Sequence, residues 1–169
     1  MFYESIRIGS AAELDALVGQ HITGEEPEIF WEDSHGQFQF DTEEEARRAL
    51  VDPYFQRFLP DVDWSQTVVR QVCAYRPYCA EPGLIWLVIE KAAATYGSLV
   101  CWRDHGRWRA SFGGHPPADA RTSAVAVCLA ALRACGFDTE VNHDRIDAQI
   151  TQYFLLAQPQ TTPSDPNGS

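Results

Sequence analysis

Residues 82–136, PGLIWLVIEKAAATYGSLVCWRDHGRWRASFGGHPPADARTSAVAVCLAALRACG, spell helix, strand, tight turn, strand and helix in one run. Pro82 suits the first turn of a helix, where its fixed φ fits and its missing N–H costs nothing. Ile85, Val88, Ile89, Ala92 and Tyr96 follow at spacings of three and four, which places them on one face. Leu84 and Leu87 widen that stripe, so a well-buried helix is expected. Gly97 can take the positive φ that stops it. Ser98–Arg103 and Arg107–Phe112 read as a hairpin about a three-residue loop, Asp104-His105-Gly106. In that register Trp102 faces Trp108 and Val100 faces Ala110, on an apolar side. Leu99 and Cys101 fall on the other side with Arg107, Arg109 and Ser111. Apolar groups on both faces of the first strand predict a sheet covered at least in part on both sides. Thr122 or Ser123 caps a last helix with the stripe Val125, Cys128, Leu129 and Leu132. Arg133 complements its negative end and Gly136 stops it.

Upstream, Phe2–Ile8 alternates weakly, as a short strand or an ordered lead-in. Ser10-Ala11-Ala12-Glu13 is a capping box for a short helix with Leu14, Leu17 and Val18 inward. Glu28–Trp31 and Gln37–Phe40 read as two strands about a turn holding Asp33, Ser34 and Gly36. Asp41-Thr42 starts a helix whose first turn carries Glu43, Glu44 and Glu45, acids that suit the positive end of a helix dipole. Pro53 ends it or restarts it. Residues 63–76 allow two readings. Val68, Val69, Val72 and Cys73 favour a helix capped by Asp63, while the β-branched content also fits a strand. Downstream, Phe137–Val141 fits an edge strand, and Asn142 caps a helix through Ile146, Ile150, Tyr153 and Phe154. Residues 158–169 have the Pro, Thr, Ser, Asp and Gly content of a disordered tail. The expected architecture is α+β, an antiparallel sheet packed with helices on both faces as an α/β/α sandwich, in a single domain over 1–157.

The 169 residues suffice for one domain with a sizeable core. The formal net charge of -11 argues against a sequence-independent nucleic-acid binder, which needs cations to displace counterions. It argues equally against docking on anionic membrane. The charge is uneven: residues 1–60 carry 13 acids and 4 arginines, and no Lys or Arg occurs from Ile8 to Ala46. The five cysteines, at 73, 79, 101, 128 and 135, form no C-x-x-C pair and read as reduced core thiols of a cytosolic protein. Metal-ligand spacing is missing, as are a P-loop, a dinucleotide fingerprint and a nucleophile elbow. No cofactor, no metal and no enzymatic activity are therefore expected. No stretch approaches the roughly 20 apolar residues that span a bilayer, and the N-terminus lacks the basic start of a signal peptide.

Two blocks resemble a known family. Glu13-Leu14-Asp15-Ala16-Leu17-Val18, with Gly24 shortly after, is similar to the opening of small phage proteins with a "phage ABA sandwich" domain. The later block is similar too. It comprises a helix around Leu84–Lys91, the hairpin strand Gly106-Arg107-Trp108-Arg109-Ala110-Ser111-Phe112, and the Ala-rich helix after Thr122. The blocks cover about 85 residues. The stretch 25–79 between them looks like an acidic, aromatic insertion. The resemblance implies a helix–sheet–helix sandwich and a phage or prophage origin. It implies no activity and supplies no functional residue.

Two candidate sites follow from the residues. The first is a partner-binding surface of Glu25, Glu26, Glu28, Trp31, Glu32, Asp33, Glu43, Glu44 and Glu45. Its carboxylates can imitate phosphates and occupy the basic groove of a host protein or nucleoprotein complex, and charge complementarity speeds that encounter. Phe30, Trp31, Phe38, Phe40, Tyr54, Phe55 and Phe58 fit either the core or the apolar centre of such an interface. The second is an anion or nucleotide site on Arg103, Arg107 and Arg109, which also fit a solvated strand face paired with Asp104. The expected protein is a phage accessory inhibitor of a host system, of the anti-CRISPR or other anti-defence sort, in the bacterial host cytoplasm. A small-molecule or nucleotide-binding domain and an acidic immunity protein against a toxin are the alternatives, and homodimerisation stays open.

Overall fold

The computed structural model describes residues 4–34, 38–57 and 63–157. The chain is α+β, with helices packed against small sheets. It divides into two compact units. The first joins residues 1–24 to 76–169, and the second is 25–75 between them.

The first unit is built around α5 (Ser123–Cys135). Thr122 caps it, accepting from the Val125 N–H, and Gly136 closes it at a left-handed φ of 110°. Its apolar residues run round the whole circumference rather than along one stripe. Val125 to Leu132 is buried without a break, which requires cover on every side. That cover comes from α4 (Pro82–Tyr96), α1 (Ala11–Val18) and strands of two sheets. One sheet is antiparallel, in the order β5 (Leu99–Asp104), β6 (Arg107–Phe112), β7 (Ala118–Ala120). The other is a parallel pair, β1 (Glu4–Ile8) with β8 (Phe137–Val141), in register from Glu4↔Phe137 to Ile8↔Val141. This pairing of strands so far apart in sequence is not legible in either strand alone. Helix α6 (His143–Ala157) follows, with Asn142 accepting from the Arg145 N–H at its start.

The β5–β6 turn corrects the expected register. His105 takes a positive φ of 46° beside Gly106 at 82°, so the loop has two residues, not three. Both central residues at φ > 0 give the turn whose twist matches the strands. Asp104 then pairs with Arg107, Arg103 with Trp108, Trp102 with Arg109 and Cys101 with Ala110. Every side chain of β5 changes face relative to β6. Leu99, Cys101 and Arg103 share the face of Trp108, Ala110 and Phe112. Val100 and Trp102 share the face of Arg107 and Arg109, and both are exposed. Cys101 is exposed as well, not a core thiol; Cys128 is buried. At the far end of the hairpin, Gly113 has φ 52°, and a Cβ there would overlap the Tyr96 carbonyl oxygen.

In the second unit, β2 (Glu28–Asp33) lies between β3 (Gln39–Phe40) and β4 (Val69–Ala74), both antiparallel to it. Residues 63–76 thus hold a strand, not the favoured helix. Asp63 accepts from the Ser65 N–H in a short 3₁₀ turn, and the β-branched Val69 and Val72 join the sheet opposite Asp33 and Phe30. Thr42 caps α2 (Glu43–Val51), and Asp52 caps the short α3 (Pro53–Gln56). Phe55 collects Phe38, Phe40 and Tyr54 edge-on at centroid distances of 5.2, 5.9 and 5.5 Å. Phe58, the turn residues 35–37 and the expected tail 158–169 lie outside the described residues.

Candidate functional site

The acidic stretch falls in the second unit, and its members have different environments. Asp33 is fully buried and accepts from the Phe38 N–H at 2.7 Å, tying the β2 end to the chain that returns to β3. Glu32 is 9% exposed and holds Arg70 across the β2–β4 pair at 2.8 Å. These two carboxylates belong to the scaffold. They are not offered to a partner, because a buried carboxylate stripped of its bonds is costly. Glu43 pairs with Arg47 and Glu44 with Arg48, one helical turn on, at 2.6 and 2.8 Å. Glu25 and Trp31 are half-buried. Glu26, Glu28 and Glu45 are exposed and form no ion pair among the described residues. Ile29, 54% exposed, lies between Glu28 and the aromatic Phe30. Residues 25–75 hold 12 acids and 4 arginines, a net of -8 out of the -11 of the chain.

The arginines of the hairpin do not gather into one site. Arg103 projects to the opposite face of the sheet from Arg107 and Arg109, because strand neighbours alternate and the turn is one residue shorter than expected. Arg107 is paired with Asp119 at 2.6 Å, and Arg109 with Asp104 at 3.1 Å. Both cations already have carboxylate partners, and an incoming anion would have to displace them. Beside Arg107 lies a charged group absent from the sequence-based expectation. Arg121 reaches Asp144 at 3.0 Å and Asp147 at 3.2 Å, and His143 stands among them. Burial first, and then the Arg107 charge, hold the His143 imidazole below its ordinary range. Such a network fastens the start of α6 to the strands.

A second place missed from the sequence surrounds Asp15, whose carboxylate is 6% exposed. Its Oδ1 accepts from the Cys79 N–H at 2.8 Å, which holds the Pro77–Glu81 turn against α1. Burial pushes its carboxyl from 3.8 up to about 6, against bonds from Cys79 and Tyr78 that pull it down. Burial and the neighbouring Asp15 charge push the Cys79 and Cys128 thiols up, so neither supplies a thiolate nucleophile near neutral pH. Tyr153 donates its hydroxyl to Glu81, and Gln149 accepts from the Ala11 N–H at 2.8 Å. The recess bounded by Asp15, Pro77, Gln149, Ile150 and Tyr153 measures about 230 Å³. That is below the roughly 300 Å³ at which small-molecule sites begin. The one sequence signal for it was an acid next to the inward stripe of a short amphipathic helix.

Among the described residues no helix is long and apolar enough to cross a membrane, and no group of His, Cys, Asp and Glu is arranged to hold a metal ion. Compared with protein-family models, curated proteins and solved structures, the chain gives no match.

Proposed function

We propose that the protein is an accessory binding protein whose second unit engages a basic surface on a protein that handles nucleic acid. The observation that carries this reading is the concentration of charge: a net of -8 on residues 25–75, with Glu26, Glu28 and Glu45 exposed and in no ion pair among the described residues. Exposed carboxylates raise the rate of encounter with a cationic groove and repel nucleic acid itself. A phage or prophage origin, and inhibition of a host anti-phage complex in the bacterial cytoplasm, rest on the sequence resemblance and extend this reading. An immunity protein against a basic toxin would use the same surface, and the identity of the captured protein tells the two apart. The hairpin arginines give weaker support to a nucleotide-binding role, since Arg107 and Arg109 are occupied by Asp119 and Asp104.

The test is capture from bacterial lysate with the tagged full chain, identified by mass spectrometry. The triple variant Glu26→Lys, Glu28→Lys, Glu45→Lys should lose the captured partner while its circular dichroism stays that of the wild type. Binding of the wild type should weaken as salt is raised. Capture that survives the triple reversal would overturn the proposal.

A further inference from the structure

Strand β5 ends its sheet, and no described strand pairs with its outer edge. The Gly113 N–H donates to the Ser98 carbonyl at 3.1 Å, which fixes the alternation along the ladder. Bonded pairs recur at every second residue, so Val100, Trp102 and Asp104 direct their backbone groups toward β6. Leu99, Cys101 and Arg103 direct theirs outward. The open edge therefore presents three N–H and three C=O groups. Its side chains are exposed too, Val100 at 59% and Trp102 at 37%. The strand has neither Pro nor a bulge, and its charged residues, Arg103 and Asp104, are confined to the turn end.

We propose that this edge is a homodimer interface, in which two copies of β5 pair antiparallel across a two-fold axis at Cys101. The two β5–β6–β7 sheets then become one continuous sheet. In this register Leu99 pairs with Arg103 of the second copy, Cys101 with Cys101, and Arg103 with Leu99. All outward N–H and C=O groups are satisfied. Moving the axis to residue 100 or 102 sets Arg103 against Gly97, or Leu99 against His105, beyond the strand ends. The side chains select the same axis. Val100 comes opposite Trp102 of the second copy at non-bonded positions, where side chains approach most closely. A β-branched residue against an aromatic is a stabilising cross-strand pair, and the symmetry makes it twice. Arg103 meets Leu99, so like charges do not face each other. This self-complementarity favours a second copy of the chain over a strand from another protein.

Sedimentation equilibrium on the full chain tests the interface, with a concentration-dependent dimer expected. Cys101→Pro removes one outward donor and no bond to β6, and Val100→Lys puts a charge opposite Trp102. Each variant should be monomeric, with the circular dichroism of the wild type. Mild oxidation gives a second readout, because Cα atoms of a bonded pair lie about 5.5 Å apart, within the reach of a disulfide. Two Cys101 thiols lose two protons and two electrons to the N=N bond of diamide and form one S–S bond. The covalent dimer should form in the wild type and in Cys73→Ser, and be lost in Cys101→Ser. If Cys101→Pro fails to fold, Val100→Lys and the cross-link decide. A wild type that stays monomeric, a dimer that survives Val100→Lys, or a cross-link through Cys73 would each overturn the proposal. The first of these outcomes would leave the edge to a foreign strand.

Discussion

Asp15 is a carboxylate that the fold both needs and penalises. It holds the turn that carries Cys79, yet burial raises its proton affinity. With a carboxyl value of about 6 folded and 3.8 as the ordinary value, the folded chain binds the extra proton between these limits. Stability therefore falls as pH rises from about 4 to about 6, by roughly 3 kcal/mol, and is level above that window with respect to this group. Asp15→Asn keeps an oxygen for the Cys79 N–H and removes the ionisation. Urea midpoints across the same pH range should show the loss flattened, with the variant at least as stable as the wild type at pH 7. A second residue-scale outcome concerns Gly113. Its φ of 52° and its approach to the Tyr96 carbonyl exclude a Cβ, so Gly113→Ala should cost about 3 kcal/mol or more. Gly114→Ala, at φ 80° with nothing within 4 Å, carries only the left-handed penalty of about 1–2 kcal/mol. Denaturation midpoints of the pair separate clash from strain. Neither role was legible in the sequence. Nothing next to Gly113 in the sequence announces its approach to Tyr96, and an acid on a helix does not say which turn it will cap.

At the scale of elements, local chemistry predicted what was local. The caps Ser10, Thr42, Thr122 and Asn142 each accept the bond their positions imply, and Pro82 opens α4. The stripe of α5 was legible, but its burial all round was not, because cover depends on what surrounds a helix. The hairpin failed by one residue for an identifiable reason: His105 adopts a conformation that non-glycine residues rarely take. That slip moved Trp102 and Val100 from an expected covered face to an open one. Strand β4 was misread because its valines fit both periods, and only its partner β2 decides between them. The acidic surface shared this limit. Charge density was plain in the sequence, while the commitment of Glu32 and Asp33 to the scaffold depended on Arg70 and Phe38, neither of which is a helix neighbour.

Across the whole molecule the two units differ in what they bury. The first encloses large apolar side chains, among them Phe112, Leu129, Leu132 and Ile146. In the second, the buried apolar residues among those described are Ala46 and Ala49, and its aromatics remain partly exposed. Local opening costs little where little is buried. Amides of α2 and of the β2–β4 ladder should exchange with deuterium well before those of α5, as read by peptide mass spectrometry under native conditions. Equal protection in the two units would contradict this. A binding partner that covers the second unit should slow its exchange selectively, which links the measurement to the proposed function.

The parallel pairing of β1 with β8 also bears on how the chain is made. Glu4 can find Phe137 only after 132 intervening residues have been synthesised. Contacts of such sequence separation close slowly. Until they close, α5, apolar on every side, lacks part of its cover during synthesis. A chain truncated near Gly136 would expose that helix to solvent with its β8 cover missing. Strand β1 thus acts late in folding although it is made before β8, and an unfinished chain is a natural client for a chaperone.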